Sequence, residues 1–359
     1  MRKTFIYLLI LALLGFGIYY FLFTNNDSPY SASEAGFNFK DTAAIGRIYL
    51  AANDGESILL DRTDSGWVVN KQYKALPSTL GLLLTTLYQQ YALYPITKNA
   101  YENAVKELST DGTKVEVYGR DGKKIRVFYV GGTAVNNTGT NMMMENAHTP
   151  YVVQVKGFNG YLTPRFSTKL RDWRDRTVFN IPEEEIKTIS VEYPDQPINS
   201  FVLTKKDSNV TVTGDPKITG SLDGFNARRA KVYTKYFTNV SCEGYLNGLK
   251  DLDTTIKTAP IQSRIDVTGV HGQHQHLDIY WMALNRRSKN STVSNADVPD
   301  DYDSDRLYAV MNNGKDTILI QQFLFKKIFR KAFEFYQKDD AMTTNMPPPP
   351  RTTIMHKNQ

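Results

Sequence analysis

Three of the five histidines in the chain fall within six residues, in the stretch HGQHQH at 271–276. Imidazoles at this density suggest a transition-metal site, because ring nitrogens suit zinc, copper, iron and nickel. His274 and His276 are two residues apart, so on a strand they share one face. A closed shell needs further donors. Cys242 is the only cysteine, and no carboxylate stands at the spacing of a known metal motif. The same stretch lies between two runs of alternating apolar residues, Ile265–Thr268 and Leu277–Trp281, which is a hairpin pattern. The reading is a polar hairpin tip, with His274 and His276 as the residues that would hold a metal if one bound.

Three other stretches carry chemistry-bearing types. DDYDSD at 300–305 sets Asp301, Asp303 and Asp305 at alternate positions, as a calcium loop begins. Arg306 and Asn312 then stand where such a loop needs Gly and Glu, so a solvated acidic loop is expected. GGTAVNNTGT at 131–140 is rich in glycine, but a phosphate cradle needs a following helix, and strand-like NMMMEN follows. LRDWRDRTVF at 170–179 is dense in charge; as a helix it would pair Arg171 with Asp175 and Asp172 with Arg176. It reads as a helix end that closes one lobe. The alternative is a partner-docking surface of Arg171, Trp173, Arg174 and Arg176, since Arg and Trp dominate interface energetics. No Gly-x-Ser-x-Gly, His-Glu-x-x-His or Cys–His arrangement is present, so no catalytic residue and no cofactor is assigned.

Such residues need a framework, and the composition supplies one. The chain has 359 residues, 41% of them hydrophobic and 12% aromatic, enough for two cored domains. The formal charge is +6, but Lys and Arg are spread along the chain rather than gathered into a stripe, which argues against nucleic acid as a partner. A single cysteine leaves no intramolecular disulfide.

The N-terminus opens with Arg2 and Lys3, and no further charge follows until Asp27. The apolar run Phe5–Phe23 would span about 28 Å as a helix, close to the roughly 30 Å of a bilayer core. It is longer than a typical signal-peptide core and lacks a nearby cleavage site. The expectation is an uncleaved single-pass anchor in the inner membrane. Positive charge ahead of it places the N-terminus in the cytoplasm and the bulk of the chain outside.

Beyond a short linker at 27–36, two halves follow the same plan. AAIGRIYLAANDGESILLDRTDSGWVVN at 43–70 and EEIKTISVEYPDQPINSFVLTKKDSNVTVTG at 184–214 both read as three alternating strands, with Ile48 matching Ile189 and Leu60 matching Leu203. Helical stretches follow at 76–96 and 225–246, and then hairpins at 113–132 and 263–283, where HGQHQH takes the place of RDGKK. The predicted fold class is α+β: an N-terminal transmembrane helix (1–26), then two similar, duplicated lobes with mainly antiparallel sheets at 37–180 and 181–340. A polar tail with four consecutive prolines closes the chain at 341–359, where disorder with a short polyproline stretch is expected.

The anchor, FNFKDTAAIGRIYL, GWVVN, GTKVEVYGRDGK, YVGGT, TGTNMMMENAHTPYVV, GFNGYLTPRF, WRDRTVF and VEYPDQPINSFVL stand in a consistent order along the chain. Through them residues 1–340 resemble the membrane-anchored bacterial family called domain of unknown function (DUF4340), in its Bacteroidota form. The resemblance implies an accessory role beside ABC-type transporters similar to those of gliding motility, and carries no catalytic residues. The expected function is thus a non-enzymatic accessory or scaffolding protein that partners other envelope membrane proteins. The competing readings are a ligand-binding ectodomain with a small molecule between the lobes and a hydrolase with unrecognised residues.

Overall fold

The computed structural model describes residues 12–16, 34–135, 137–216, 224–290 and 298–336. Of the expected anchor only residues 12–16 are among these, and they are helical. No helix among the described residues is long and apolar enough to cross a membrane. The rest of the apolar run, linker residues 27–33 and the proline-rich tail lie outside the described residues. The chain divides into two compact units, Met1–Asp175 and Arg176–Gln359. The first unit ends five residues before the expected 180, and Val178 and Phe179 pack into the second core.

In the first unit, β1 (Ile45–Ala51), β2 (Ser57–Thr63), β3 (Gly66–Val69) and β4 (Tyr73–Lys74) form a meander. Helix α1 (Pro77–Gln89) leads into β5 (Gln90–Pro95), and α2 (Lys98–Thr110) leads into β6 (Thr113–Gly119) and β7 (Lys124–Thr133). Strands β8 (Thr140–Met144) and β9 (Tyr151–Val155) complete a sheet of order β4-β3-β2-β1-β6-β7-β8-β9-β5, every pairing antiparallel. The alternation of β1 sends Ile48 and Leu50 into the core, and Ile48 pairs with Leu60 on one side and Val117 on the other. At Gly46 the register to β6 shifts, and a Cβ there would stand 2.7 Å from the Gly119 carbonyl oxygen, so only glycine fits this bulge. Phe37, Phe128 and Phe166 meet edge to face in the core.

The stretch 76–96 is therefore not one helix. The chain turns extended at Gln90 and pairs with β9. Apolar residues at 87, 91 and 94 fit a helical stripe and a half-buried strand equally well, and the pairing with β9 decides between them.

The short helix α3 (Leu170–Trp173) closes the first unit, and the second begins with β10 (Thr177–Phe179), then a meander of β11 (Ile186–Glu192), β12 (Phe201–Lys206) and β13 (Asn209–Gly214). Helix α4 (Ala227–Thr234) is capped by the Asn226 side chain, which accepts the Arg229 N–H at 2.9 Å. The expected helix at 225–246 stops there. A 3-10 turn and the short strands β14 (Val240–Ser241) and β15 (Gly244–Tyr245) take up its remainder. Helix α5 (Leu252–Thr258) precedes β16 (Ile261–Gly269) and β17 (His274–Ala283), and then come β18 (Tyr302–Met311) and β19 (Asp316–Gln321). The sheet order is β13-β12-β11-β16-β17-β18-β19-β15. Its core gathers Phe201, Tyr233 and Phe335, whose rings contact one another edge to face.

Candidate functional site

The histidine stretch starts as a turn and ends as a strand. The Gly269 N–H donates to the Gln273 carbonyl at 2.8 Å and the Gly272 N–H to the Gly269 carbonyl, so His271 and Gly272 form the hairpin tip. His274 and His276 lie on β17, on the face opposite the buried Leu277 and Ile279. Strand pairing sets the rest of the row. Asp266 stands opposite His276, Arg264 opposite Asp278, and Glu192 of β11 opposite Arg264. This face of the second sheet is a ladder of alternating charge.

The distances define its chemistry. Asp266 Oδ1 lies 2.8 Å from His276 Nδ1 and 2.9 Å from His274 Nε2. The Asp278 Oδ1 atom is 3.2 Å from His276 Nε2 and 3.4 Å from Arg264 Nε, off the line of a good hydrogen bond, so these are ion pairs. Arg264 Nη1 reaches Glu192 at 3.2 Å. Burial works against charge on His276, but the Asp266 hydrogen bond and the charges of Asp266 and Asp278 outweigh it and hold its pKa above the ordinary histidine value. His276 thus has a carboxylate at each ring nitrogen. A metal ligand needs a nitrogen lone pair open to the ion, and both nitrogens of His276 already face a carboxylate. Among the described residues no group of three or more His, Cys, Asp or Glu is arranged to hold a metal ion.

The sequence alone does not single out Asp266, because its partners lie eight and ten residues away across a turn. Hairpin register was the available signal: once the tip is fixed at Gly272, Asp266 must face His276. The first unit holds a carboxylate at the corresponding place on β6. Glu116 lies 3.0 Å from Lys114 and 3.4 Å from Lys124, and it accepts the Tyr118 hydroxyl. Burial raises its pKa, but Tyr118 and Lys114 outweigh that and lower it.

The acidic triplet does not form a loop. Asp303 and Asp305 lie in β18, and only Asp301 remains outside the strand and exposed. Asp303 is fully buried, and Arg287 fills the place a cation would take, with Nη2 2.6 Å from Asp303 and Nη1 2.9 Å from Asp305. The other Asp303 oxygen accepts the backbone N–H groups of Asp305 and Arg306 at 2.9 and 3.1 Å. Arg287 sits on α6 (Arg286–Lys289), whose start is closed by a capping box of Asn285 and Ser288.

The glycine-rich stretch is a strand-to-strand connection, as expected. The Glu107 carboxylate of α2 accepts the Gly132 N–H at 3.0 Å and the Asn141 side-chain amide at 3.2 Å, so an internal anion already sits there. Gly139 has a φ of +130°, and a Cβ on it would meet the Val153 carbonyl at 2.8 Å.

The stretch 170–179 is less helical than the helix end expected of it, and the alternative docking surface of Arg171, Trp173, Arg174 and Arg176 has two of its four residues buried. Only α3 (Leu170–Trp173) is helical; Arg174 is extended, so the predicted i,i+4 pairs do not form. Asp175 instead faces Lys74 at 3.6 Å. Trp173 is fully buried and donates its indole N–H to the Ser167 carbonyl at 2.7 Å. Arg174 is buried too, its guanidinium 3.9 Å over the Tyr73 ring. Neither side chain is open to a partner. Arg176 is half-buried, and Arg171 alone of the four is exposed.

No curated protein matches the chain, and no solved structure matches it. The family model for domain of unknown function (DUF4340) matches residues 67–259, which take in the first sheet from β3 onward and the second unit as far as α5. That is more than half of the 359 residues, and the chain belongs to this family.

Proposed function

We propose that this protein is a non-enzymatic, membrane-anchored accessory component of a bacterial envelope complex that works with an ABC-type transport system. The observation that carries the reading is how the chemistry-bearing side chains are used. His276 is held between Asp266 and Asp278, Asp303 is closed by Arg287, and Glu116 is ringed by Lys114 and Lys124. Groups paired off in this way stiffen a framework, whereas an active site keeps an acid, a base or a nucleophile open to substrate. The run Phe5–Phe23, led by Arg2 and Lys3, supports the anchor and the extracytoplasmic placement of both units.

The two units are read as copies of one ancestral lobe. Ile189 pairs with Leu203 and Val267 as Ile48 pairs with Leu60 and Val117. Both central strands shift register at their start, between Ile45 and Arg47 and between Ile186 and Thr188, opposite Gly119 and Gly269. A bulge repeated at the same rung supports common ancestry, since bulges are kept within families.

Photo-crosslinking of the full-length protein in native membranes, followed by mass spectrometry, tests the accessory role. The expected result is enrichment of one defined membrane protein, a transporter subunit in particular. Recovery of lipid and abundant bystanders alone would overturn it.

A further inference from the structure

Residues 75–97 contain no charged side chain, although 22% of the whole chain is charged. They build α1 and β5. A surface helix normally turns charged residues outward, yet the exposed positions of α1 are Pro77, Ser78, Gly81, Leu82, Thr85, Tyr88 and Gln89. Beside them β5 exposes Tyr91, Leu93 and Tyr94. Leu82, Tyr88, Tyr91, Leu93 and Tyr94 are each between 40% and 55% exposed. Helix α4 of the second unit, by contrast, carries Arg228, Arg229 and Lys231 within eight residues.

Two occupants suit an open sheet edge, a pairing strand or an apolar surface. Strand pairing is discouraged at β5. Its ladder to β9 shifts register between Ala92 and Tyr94, and it ends at Pro95, which has no N–H to donate. Bulges and prolines are how proteins blunt such edges. The side chains, not the backbone, are what this face offers, and Tyr with Leu is the composition favoured where a membrane meets water.

The path of the chain says which surface it meets. The segment that arrives from the apolar run packs beneath the same two elements, on their buried side. The Phe39 N–H donates to the Leu87 carbonyl at 2.8 Å, and the buried Gln90 side chain donates to the Phe37 carbonyl at 2.8 Å. Ten residues lie between Phe23 and Glu34. Eleven Cα steps reach at most about 36–40 Å, so a bilayer that holds the apolar run stays within about one domain width of the first unit.

We infer that the uncharged α1–β5 face rests on the lipid surface, with Leu82, Tyr88, Tyr91, Leu93 and Tyr94 seated among the headgroups. This rests on the reading of Phe5–Phe23 as the anchor. The test places a fluorophore, one position at a time, on the full-length protein at Leu14→Cys, Leu82→Cys, Leu93→Cys and Ile125→Cys. Cys242 is buried and stays unlabelled. The protein is reconstituted into phosphatidylethanolamine–phosphatidylglycerol vesicles without nitroxide, with lipids bearing a nitroxide near the headgroup, which reads Leu82, Leu93 and Ile125, and with lipids bearing one deep in the acyl chain, which reads Leu14 at the middle of the apolar run.

Quenching by about half is expected at Leu82 and Leu93, and none at Ile125, an exposed site at the β6–β7 hairpin of the same unit. Quenching at Leu14 but at neither Leu82 nor Leu93 would keep the anchor and overturn the resting face. Absence of quenching at all four sites would overturn both. The helix position and the strand position report independently, so misfolding of one variant leaves the other decisive.

Discussion

Asp266 stands directly opposite His276 across the β16–β17 hairpin, its Oδ1 2.8 Å from Nδ1, and the same oxygen is 2.9 Å from His274 Nε2. One carboxylate thus collects two imidazoles, and Asp278 completes the row on the far side of His276. The pair makes second-unit stability depend on pH. The His276 pKa is raised in the folded state, against an unfolded value of about 6.5. Its contribution is complete below about pH 6.5 and is lost as pH rises through the folded pKa. Asp266→Asn is expected to cost about 0.5–1 kcal/mol at acidic pH, the range for a partly exposed pair, and less once His276 is neutral. Urea unfolding of both proteins on either side of neutrality checks this. An equal deficit at both pH values would show that the imidazolium contributes nothing.

The buried Asp303 is the more expensive carboxylate to remove. Asp303→Ala leaves Arg287 without its main partner and orphans the N–H groups of Asp305 and Arg306. A loss of about 3 kcal/mol is expected, the scale for breaking a buried pair from one side. Added calcium should leave the melting temperature of the unmodified protein unchanged, because Arg287 already stands between Asp303 and Asp305. A rise in melting temperature with calcium would show that the cation displaces Arg287.

Trp173 acts through the core. Trp173→Ala is expected to destabilise the first unit by about 3–5 kcal/mol, as large-to-small changes of buried aromatics do. Arg171→Ala, at an exposed position, is expected to stay within about 0.5 kcal/mol. Calorimetry of the two variants separates these outcomes. Similar melting for both would contradict the burial of the indole.

Gly139→Ala tests the tight closure between β8 and β9. The added methyl would press on Val152 and the Val153 carbonyl at 2.8 Å, at a φ of +130° that L residues rarely adopt. A cost of about 2 kcal/mol is expected from strain and overpacking. A neutral result would mean that this turn relaxes freely.

If the units are copies, their hairpin tips should be exchangeable. The Gly119 N–H donates to the Lys123 carbonyl as the Gly269 N–H donates to that of Gln273. Replacing Val270, His271 and Gln273 by Arg, Asp and Lys, the residues at 120, 121 and 123, is expected to cost about 1 kcal/mol, because it forgoes the Gln273–Glu185 contact. Loss of the second unit's fold on exchange would count against common descent of the two tips.

Period-2 alternation made the strands around Ile48, Leu60, Ile189 and Leu203 readable, and the turn glycines made both hairpins readable. Those signals are local. What escaped were facts fixed by distant pairing. Gln90–Pro95 leaves the helical path because β9 lies beside it, sixty residues on. Arg174 extends because the chain there bridges to Ala75, which breaks the expected helix and buries Trp173. The candidate site was half legible: His274 and His276 were visible at once, while Asp266 and Asp278 acquire their role only when cross-strand register is known.

The segment between Glu34 and Phe39 has a mechanical consequence. Arg126 of β7 grips it at the Gly36 and Asn38 carbonyls, α1 holds Phe39 through Leu87, and Gln90 holds Phe37. Tension applied to the chain at Glu34 is therefore divided among a strand in the middle of the sheet, a helix and the opposite sheet edge. Four consecutive residues, Gly36 to Phe39, thus tie the start of the first unit to three separate elements rather than to one.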